Sequence, residues 1–422
     1  DYSVSPTTDY YQPQSDDVAF LNLTSGSTGI PKCIQLTHQN IISRAFGANL
    51  HNDHSDDIIL NWLPFDHIGS ISDWHIRPCL LGCTAVYVQK EYILKRPLNW
   101  LDLIHQYRVT HSWSPNFFYA LLNDQLKNQS SQWDLSCVRF LLTAGENITQ
   151  NAIQGCLAQL QPYHLSQTAI RPAFGMAEVG SGITYNTNET EAFKFHVEQG
   201  GTFADLGTPI PGITLRIVDE QNHVLREGEI GYLQIKGDAV SKGYYHNTEA
   251  NQAAFLADGW FKTGDLGLIR TGHLILTGRS SEIIIINGTN YYSHEIEAIV
   301  SQVEGVAVSY TAAVAITSDE DATEKLAIFF SSDLENDQTL LNQIRRVLVT
   351  HMGINPDYLI QVEKTAIPKT AIGKIQRSEL AQRFKTGEFK QNIASVSQKV
   401  NPSDIEQDLK RIWQDILQKS DI

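Results

Sequence analysis

The sequence contains no apolar run approaching the ~18–20 residues needed to cross a bilayer, and no basic, apolar, small-residue leader opens it. Cysteine is scarce, with five in 422 residues, at positions 33, 79, 83, 137 and 156. A sparse, odd-numbered set in a long chain excludes a disulfide scaffold and fits a reduced, cytoplasmic compartment. Cys79 and Cys83 are the only close pair. They lie in the apolar stretch CLLGC, without the second ligand pair a structural zinc would use, and read as buried structural thiols. Basic residues are also in deficit: Lys+Arg total 32 against 47 Asp+Glu, a formal net charge of −15. That balance excludes broad binding to nucleic acid or anionic membranes, while leaving room for a small basic pocket. No internal repeat is present.

What is present is enough apolar material for a sizeable core, 42% of the chain, and a length that predicts two to three domains at about 150 residues each. Residues 1–16 are polar and read as a strap or linker. Residues 18–23 (VAFLNL) predict a strand, followed by a Gly/Ser/Thr loop and a helix over about 39–49. Up to about residue 190, apolar runs at 58–63, 84–88 and 138–142 alternate with amphipathic stretches at 97–107, 116–127 and 149–160, the alternation of α/β layering. From about 206 the texture changes. Short, β-branched, Gly-punctuated segments at 213–218, 231–236, 273–277 and 282–287 predict a small β region. Beyond it the pattern predicts helices at 293–303 and 337–350 and strands at 306–316 and 325–331. Residues 403–418 form a capped amphipathic pattern whose apolar side needs a partner.

Five segments carry chemistry. The first is Thr24-Ser25-Gly26-Ser27-Thr28-Gly29-Ile30-Pro31-Lys32, expected between a strand and a helix. Its glycines let backbone approach an anion, its hydroxyls and N–H groups donate to phosphate oxygens, and Lys32 adds charge. It lacks the Gly-Lys-Ser/Thr ending of a Walker loop, which argues against a P-loop phosphotransferase. The second is Ala173-Phe174-Gly175-Met176-Ala177-Glu178, where an aromatic can face a base and a carboxylate can hold a hard cation. The third, Trp260–Asp265, ends in a carboxylate able to accept from paired ribose hydroxyls. The fourth is Gly278-Arg279, leading into Ile283–Ile286. The fifth, Pro368–Arg377, presents Lys374 from a turn, where its ammonium can meet an anion as a point charge.

In this order the five segments resemble the adenylate-forming superfamily, which includes nonribosomal peptide synthetase adenylation domains, acyl- and aryl-CoA synthetases, fatty acyl-AMP ligases and luciferases. The resemblance runs from about 18 to 380, and Leu206–Gly212, Gly228–Gly231 and Gly243–Asn247 agree with it. It implies the α/β adenylate-forming fold. A large N-terminal lobe of layered α/β plus a small β region spans 1–278 and apparently lacks its first part. A small mobile α+β C-terminal lobe follows at 279–390. A linker at 391–402 leads to 403–422, which looks like the start of a peptidyl carrier domain with its Ile412-Trp413 pair. That tail favours a synthetase module, of the type of the loading module of a cyanobacterial microcystin-type hybrid peptide–polyketide synthetase.

The resemblance implies ATP-dependent activation of a carboxylic acid as acyl-AMP, then transfer to the phosphopantetheine thiol of a carrier domain. Thr24, Ser25, Gly26, Ser27, Thr28, Gly29 and Lys32 would hold the β- and γ-phosphates of ATP. Phe174 and Gly175 would pack on adenine, Glu178 would bind Mg²⁺, and Asp265 would take the ribose with Arg279 nearby. Lys374 would bridge carboxylate and α-phosphate. His67 sits where acyl- and aryl-activating relatives carry a histidine beside the carboxylate. On the amino-acid alignment, Asp66 would instead receive an ammonium. Phe117, Ala144, Gly145, Ala173, Ser181 and Gly182 complete an expected pocket for an aryl or arylpropanoid acid, or a phenylalanine-like amino acid. Ala177 and Ser281 depart from the family pattern, the latter at the hinge position. The expected partners are the substrate acid, a carrier domain and other modules of an assembly line, with no nucleic acid and no membrane. A free-standing acyl-CoA or acyl-AMP ligase and a non-catalytic nucleotide-binding fragment stay open as alternatives.

Overall fold

The computed structural model describes residues 10–24, 32–51, 56–127, 129, 131–187, 192–198, 201–286, 289–316, 324–334, 338–370, 373–390 and 392. The predicted carrier helix at 403–418, and Ser25, Gly26, Ser27, Thr28 and Gly29, lie outside them. The chain forms two compact units. One holds the residues up to Ile283 together with Lys369–Ser378; the other holds Ile284–Pro368 and the chain from Glu379.

The first unit is built on a seven-stranded sheet in the order Thr208–Pro209, Ser181–Tyr185, Ile170–Met176, Phe140–Thr143, His111–Trp113, Ile58–Asn61, Thr84–Tyr87. From Ile170–Met176 to Thr84–Tyr87 all pairings are parallel; Ser181–Tyr185 and Thr208–Pro209 add antiparallel edges. Parallel strands bury both faces, which is why FLLT is buried throughout and HSW is buried although two of its residues are polar. The helices between strands supply the cover. Gln150–Leu160 buries Ala152, Ile153, Cys156, Leu157 and Leu160, a single helical stripe, and Leu98–Tyr107 buries Leu98, Trp100, Leu101 and Ile104. Each fully buried leucine or isoleucine among them contributes about 1.5–3 kcal/mol. The buried indoles keep their donors satisfied: Trp62 Nε1 donates to the Trp113 carbonyl at 3.0 Å, and Trp100 Nε1 to Ser112 Oγ at 3.0 Å.

A second sheet in this unit is antiparallel, in the order Ile213–Val218, Gly231–Gly237, Phe261–Arg270, His273–Arg279. Its last hairpin turns on Thr271 and Gly272, both at positive φ (49° and 79°), the geometry that matches strand twist.

The Gly/Ser/Thr loop does not lead straight into a helix as expected. Strand Val18–Thr24 pairs antiparallel with a second strand, Lys32–Thr37, and helix His38–His51 comes only afterwards. Lys32–Thr37 alternates so that Ile34 and Leu36 are fully buried. Reciprocal capping then sets the helix start: Thr37 N donates to Asn40 Oδ1 at 3.0 Å, and Asn40 N to Thr37 Oγ1 at 3.2 Å.

A π-helical turn, Ser72–Ile76, follows helix Ile68–Ile71 and was not foreseen. It carries Asp73, which is buried and pairs with fully buried Arg44 of helix His38–His51 at 2.5 Å. The thiol reading also needs correction. Cys79, on helix Arg77–Leu81, is exposed and Cys83 is half-buried, because the helix shows its Cys79 side to solvent and ends at Gly82 in the left-handed conformation.

In the second unit, strand Val306–Ile316 pairs antiparallel with Lys325–Ser332, which pairs parallel with Tyr358–Gln361. Helices Ser293–Val300 and Gln338–Met352 bury Ile296, Val300, Leu340, Ile344 and Leu348 in a core with Ile328 and Phe330. The lysine-bearing segment Lys369–Ser378 was expected with the C-terminal lobe but packs with the first unit. The Gly373 backbone there lies against the Phe117 ring.

Breaking the Arg44–Asp73 pair from one side leaves a buried charge uncompensated. Asp73→Ala should therefore cost about 3–5 kcal/mol. An Arg44→Met/Asp73→Ala double variant should recover most of that loss, read as the urea midpoint of unfolding.

Candidate active site

The loops at the carboxyl ends of the parallel strands bring the first group of candidate residues together, as expected for an α/β sheet. Asn61 ends its strand by accepting from Leu63 N at 3.1 Å and donating to Ser70 Oγ at 2.8 Å. The loop that follows places His67 at the cap of helix Ile68–Ile71, where Nδ1 accepts from Gly69 N–H at 3.1 Å. In the neutral ring that bond leaves the proton on Nε2. The ring lies 5.1 Å from Trp113. Burial pushes the imidazole down to about 4, against the opposing pull of Asp66 and Asp73. Asp66 itself is exposed.

The next strand ends, His111–Trp113 and Phe140–Thr143, deliver Phe117 and the Ala144-Gly145-Glu146 loop. Gly145 has φ 87°. The Phe117 amide donates to Glu146 Oε1 at 2.5 Å. Strand Ile170–Met176 carries Ala173, which is buried, and half-buried Phe174 and Gly175. It pairs with Ser181–Tyr185 so that Gly175 opposes Gly182. The approach is close: a Cβ on Gly175 would stand 2.0 Å from the Ser181 carbonyl oxygen. Ser181, at φ 144°, is held there by its Oγ donating to Asp73 at 2.5 Å, while Arg44 Nη1 donates to the Gly182 carbonyl at 3.2 Å.

A second group is charged. Cross-strand register sets Asp265 opposite Arg279, and Arg279 Nε donates to Asp265 Oδ1 at 2.8 Å. Thr263 Oγ1 accepts from the Asp265 amide at 2.9 Å and fixes the turn. Asp265 Oδ2 is buried and has no hydrogen-bond partner among the described residues. Burial lifts this carboxyl above the usual range, with Arg279 and Lys374 opposing. Glu178 sits in the turn Ala177–Val179, and its Oε1 accepts from Tyr244 OH at 2.9 Å. Burial raises Glu178 as well, opposed by hydrogen bonds and by Arg279 and Lys32. Lys32 Nζ stands 4.9 Å from the Tyr244 ring centroid, and Thr24 faces Lys32 across the hairpin. Lys374 lies on a turn closed by Thr370 N to Lys374 O at 2.8 Å and Gly373 N to Thr370 O at 2.8 Å. Burial and the neighbouring Arg279 lower its pKa, while Glu282 and Asp265 hold its charge.

Lys32, Glu178, Asp265, Arg279 and Lys374, drawn from five separate sequence segments, thus share one electrostatic environment. The AMP-binding enzyme family matches residues 3–245. The chain belongs to the AMP-binding enzyme family. Within this family it is 33% identical over 390 residues to nonribosomal peptide synthetase apvA of Aspergillus terreus, covering 90% of this chain and 42% of apvA. The solved structure of McyG A-PCP complexed with phenylalanyl-adenylate is 39% identical, with TM-score 0.86, covering 100% of this chain and 68% of that one. An adenylation, ketoreductase and pseudo Asub multidomain structure of a keto acid-selecting synthetase module is 38% identical, with TM-score 0.84, over 91% of this chain and 34% of that one. The chain thus spans less than half the length of the curated relative, and its fold is that of the adenylate-forming enzymes.

Four participants escaped the sequence reading. Glu146 ends the Thr-Ala-Gly-Glu loop, of which only Ala144 and Gly145 were named; its one signal is a Gly-Glu pair directly after a buried parallel strand. Tyr244 entered only as part of a landmark, and nothing local marks its contact with Glu178. Arg44 and Asp73 meet through a π-helical turn that no periodicity announces.

The His67 geometry has a consequence for pH. The folded state keeps the ring neutral down to about pH 4, whereas the unfolded ring takes up its proton near 6.5. Stability should be highest above pH 6.5 and fall as the pH drops to about 4. His67→Asn should flatten the slope of the urea midpoint across that window, and an unchanged slope would rule out a neutral, half-buried His67.

Proposed function

We propose that this chain activates a carboxylic acid as its acyl adenylate and passes the acyl group to a thiol. In the first step a carboxylate oxygen of the acid attacks the α-phosphorus of ATP. The new P–O bond forms as the bond to the departing pyrophosphate breaks, giving acyl-AMP. In the second step a phosphopantetheine thiolate attacks the acyl carbonyl, the C–S bond forms and AMP leaves. The observation that carries this reading is the buried Asp265 Oδ2, without a hydrogen-bond partner among the described residues, beside Arg279 and Lys374. An acceptor-only group held ready in a buried place suits the donor hydroxyls of a ribose.

The other roles follow from charge and position. Lys374 serves as a point charge between the two anions that must meet, the acid carboxylate and the α-phosphate. Lys32 and Thr24, with Ser25, Gly26, Ser27, Thr28 and Gly29 of the connecting loop, hold the β- and γ-phosphates. Phe174 and Gly175 receive the adenine. His67 presents Nε2–H to the acid carboxylate, and its neutrality spares it competition with Lys374. Glu178 fits a magnesium ion: a buried carboxylate with one oxygen held by Tyr244 is stabilised by a cation. A bound ion there supplies neutralising charge for the phosphates.

For the acid, Trp113 beside His67 and the small Ala144, Ala173 and Gly182 favour an aryl or arylpropanoid acid or a phenylalanine-like amino acid. The phenylalanyl-adenylate complex and the keto acid-selecting module among its relatives agree with a phenyl arm and a substituted α-carbon. A carrier domain and further modules of an assembly line are the partners. The five free cysteines favour the cytoplasm.

The decisive assay is carboxylate-dependent ATP–pyrophosphate exchange over a panel of amino, keto and aryl acids. Lys374→Ala should lower exchange on the order of a hundredfold or more. Thioester formation from pre-made acyl-AMP should fall far less, and an equal loss in both halves would contradict the role of Lys374. Asp265→Ala should raise the KM for ATP by about tenfold or more, since a charge-assisted hydrogen bond is worth about 1.5–3 kcal/mol. Comparing pantetheine-loaded carrier with coenzyme A as acceptor separates a synthetase module from a free-standing ligase.

A further inference from the structure

Phe117 was expected to line the acid pocket, yet its ring is occupied from another direction. Gly373, at φ 85°, packs so tightly on it that a Cβ there would stand 2.4 Å from Phe117 Cε1. Lys369 Nζ lies 5.9 Å from the same ring centroid. Lys369 and Ile375 are bridged, which ties together the two arms of the turn that presents Lys374.

The position of that face is fixed from behind. The Phe117 amide donates to Glu146 at 2.5 Å. Beside it, Asn116 and the end of the Glu146 loop are stapled in both directions: Thr149 N donates to Asn116 Oδ1 at 3.0 Å and Asn116 Nδ2 to Thr149 Oγ1 at 3.2 Å. The Glu146 carboxylate also faces three cations of the turn segment, Lys374, Lys369 and Arg377. Arg377 is held from the other side by Glu282 at 3.1 Å.

We propose that Phe117 and Glu146 form the seat for the Lys369–Ser378 turn, the ring by shape and the carboxylate by charge, and so place the Lys374 ammonium for adenylation. They are positioning residues, acting through Lys374. Glycine is required at 373 because the seat tolerates no side chain there. Burial raises Glu146 to about 7, with the Phe117 amide and the cations Lys374, Lys369 and Arg377 opposing the rise.

This inference rests on the adenylation reading, and the test separates the two. If the unmodified chain shows no acid-dependent pyrophosphate exchange with any acid of the panel, the adenylation reading fails. If it exchanges, Phe117→Ala and Gly373→Ala should each lower exchange kcat about thirtyfold, and Glu146→Gln about tenfold, with the KM for ATP and acid changed less than about threefold. Phe117→Tyr, which keeps the ring, should retain near-normal rates. Thioester formation from pre-made acyl-AMP, with pantetheine as the probe thiol, should stay within about threefold for every variant. Hydrogen–deuterium exchange of the peptide covering 369–378 should speed up in Phe117→Ala and not in Phe117→Tyr. The proposal is overturned if Phe117→Ala raises the KM for the acid at unchanged kcat, if both half-reactions fall together, or if the 369–378 peptide exchanges as before.

Discussion

The cross-strand pair of Asp265 and Arg279 is the constraint around which the charged part of the molecule is arranged. Two ions removed from water are costly unless each is compensated. Here the ladder puts them opposite one another and a 2.8 Å bond neutralises one carboxylate oxygen, leaving the other buried with no partner among the described residues. A half-satisfied buried carboxylate is a poor structural element and a good receptor for donors brought from outside. Arg279 extends the same field to Glu178, and Asp265 extends it to Lys374. Removing either partner would alter the surroundings of residues from distant parts of the chain.

The parallel sheet and the charged group solve different problems. The sheet carries Trp113 and Ala173 on its parallel strands, Ala144 just beyond Phe140–Thr143 and Gly182 on the neighbouring antiparallel strand. Behind them the Arg44–Asp73 pair keeps Ser181 at a φ of 144°, a backbone state a serine would not hold unaided. Rigid support on one side and clustered charge on the other suit the proposed reaction between two anions. The acid must be fixed in direction, and the repulsion between the reactants must be screened within a poorly solvated space.

Much of the architecture was legible because its signals are local. The strand runs at 58–63, 84–88 and 138–142 and the helix at 149–160 rest on apolar runs and a 3.6 period, and the structure holds strands Ile58–Asn61, Thr84–Tyr87 and Phe140–Thr143 and helix Gln150–Leu160 there. The early strand ends, such as Asn61, come from side-chain hydrogen bonds that a hydropathy pattern does not contain. The second strand of the N-terminal hairpin was missed because Lys32–Thr37 is short and begins at a residue that reads as part of the loop. In the site, Asp265, Arg279, Glu178 and Lys374 were named because five segments in this order resemble a known superfamily, not from any one segment alone. Glu146, Asp73 and Tyr244 were not, because each matters through a contact across space: a backbone amide 29 positions away for Glu146, an arginine 29 positions away for Asp73 and a carboxylate 66 positions away for Tyr244.

The cysteine arrangement has a practical side. Cys79 is exposed, Cys33, Cys83 and Cys137 are half-buried, and Cys156 is fully buried on the inner face of helix Gln150–Leu160. A bulky maleimide dye, applied briefly and in limiting amount, therefore has a preferred anchorage on the short helix just before strand Thr84–Tyr87, without any engineered thiol. The chain thus carries its own handle for attaching a single fluorophore.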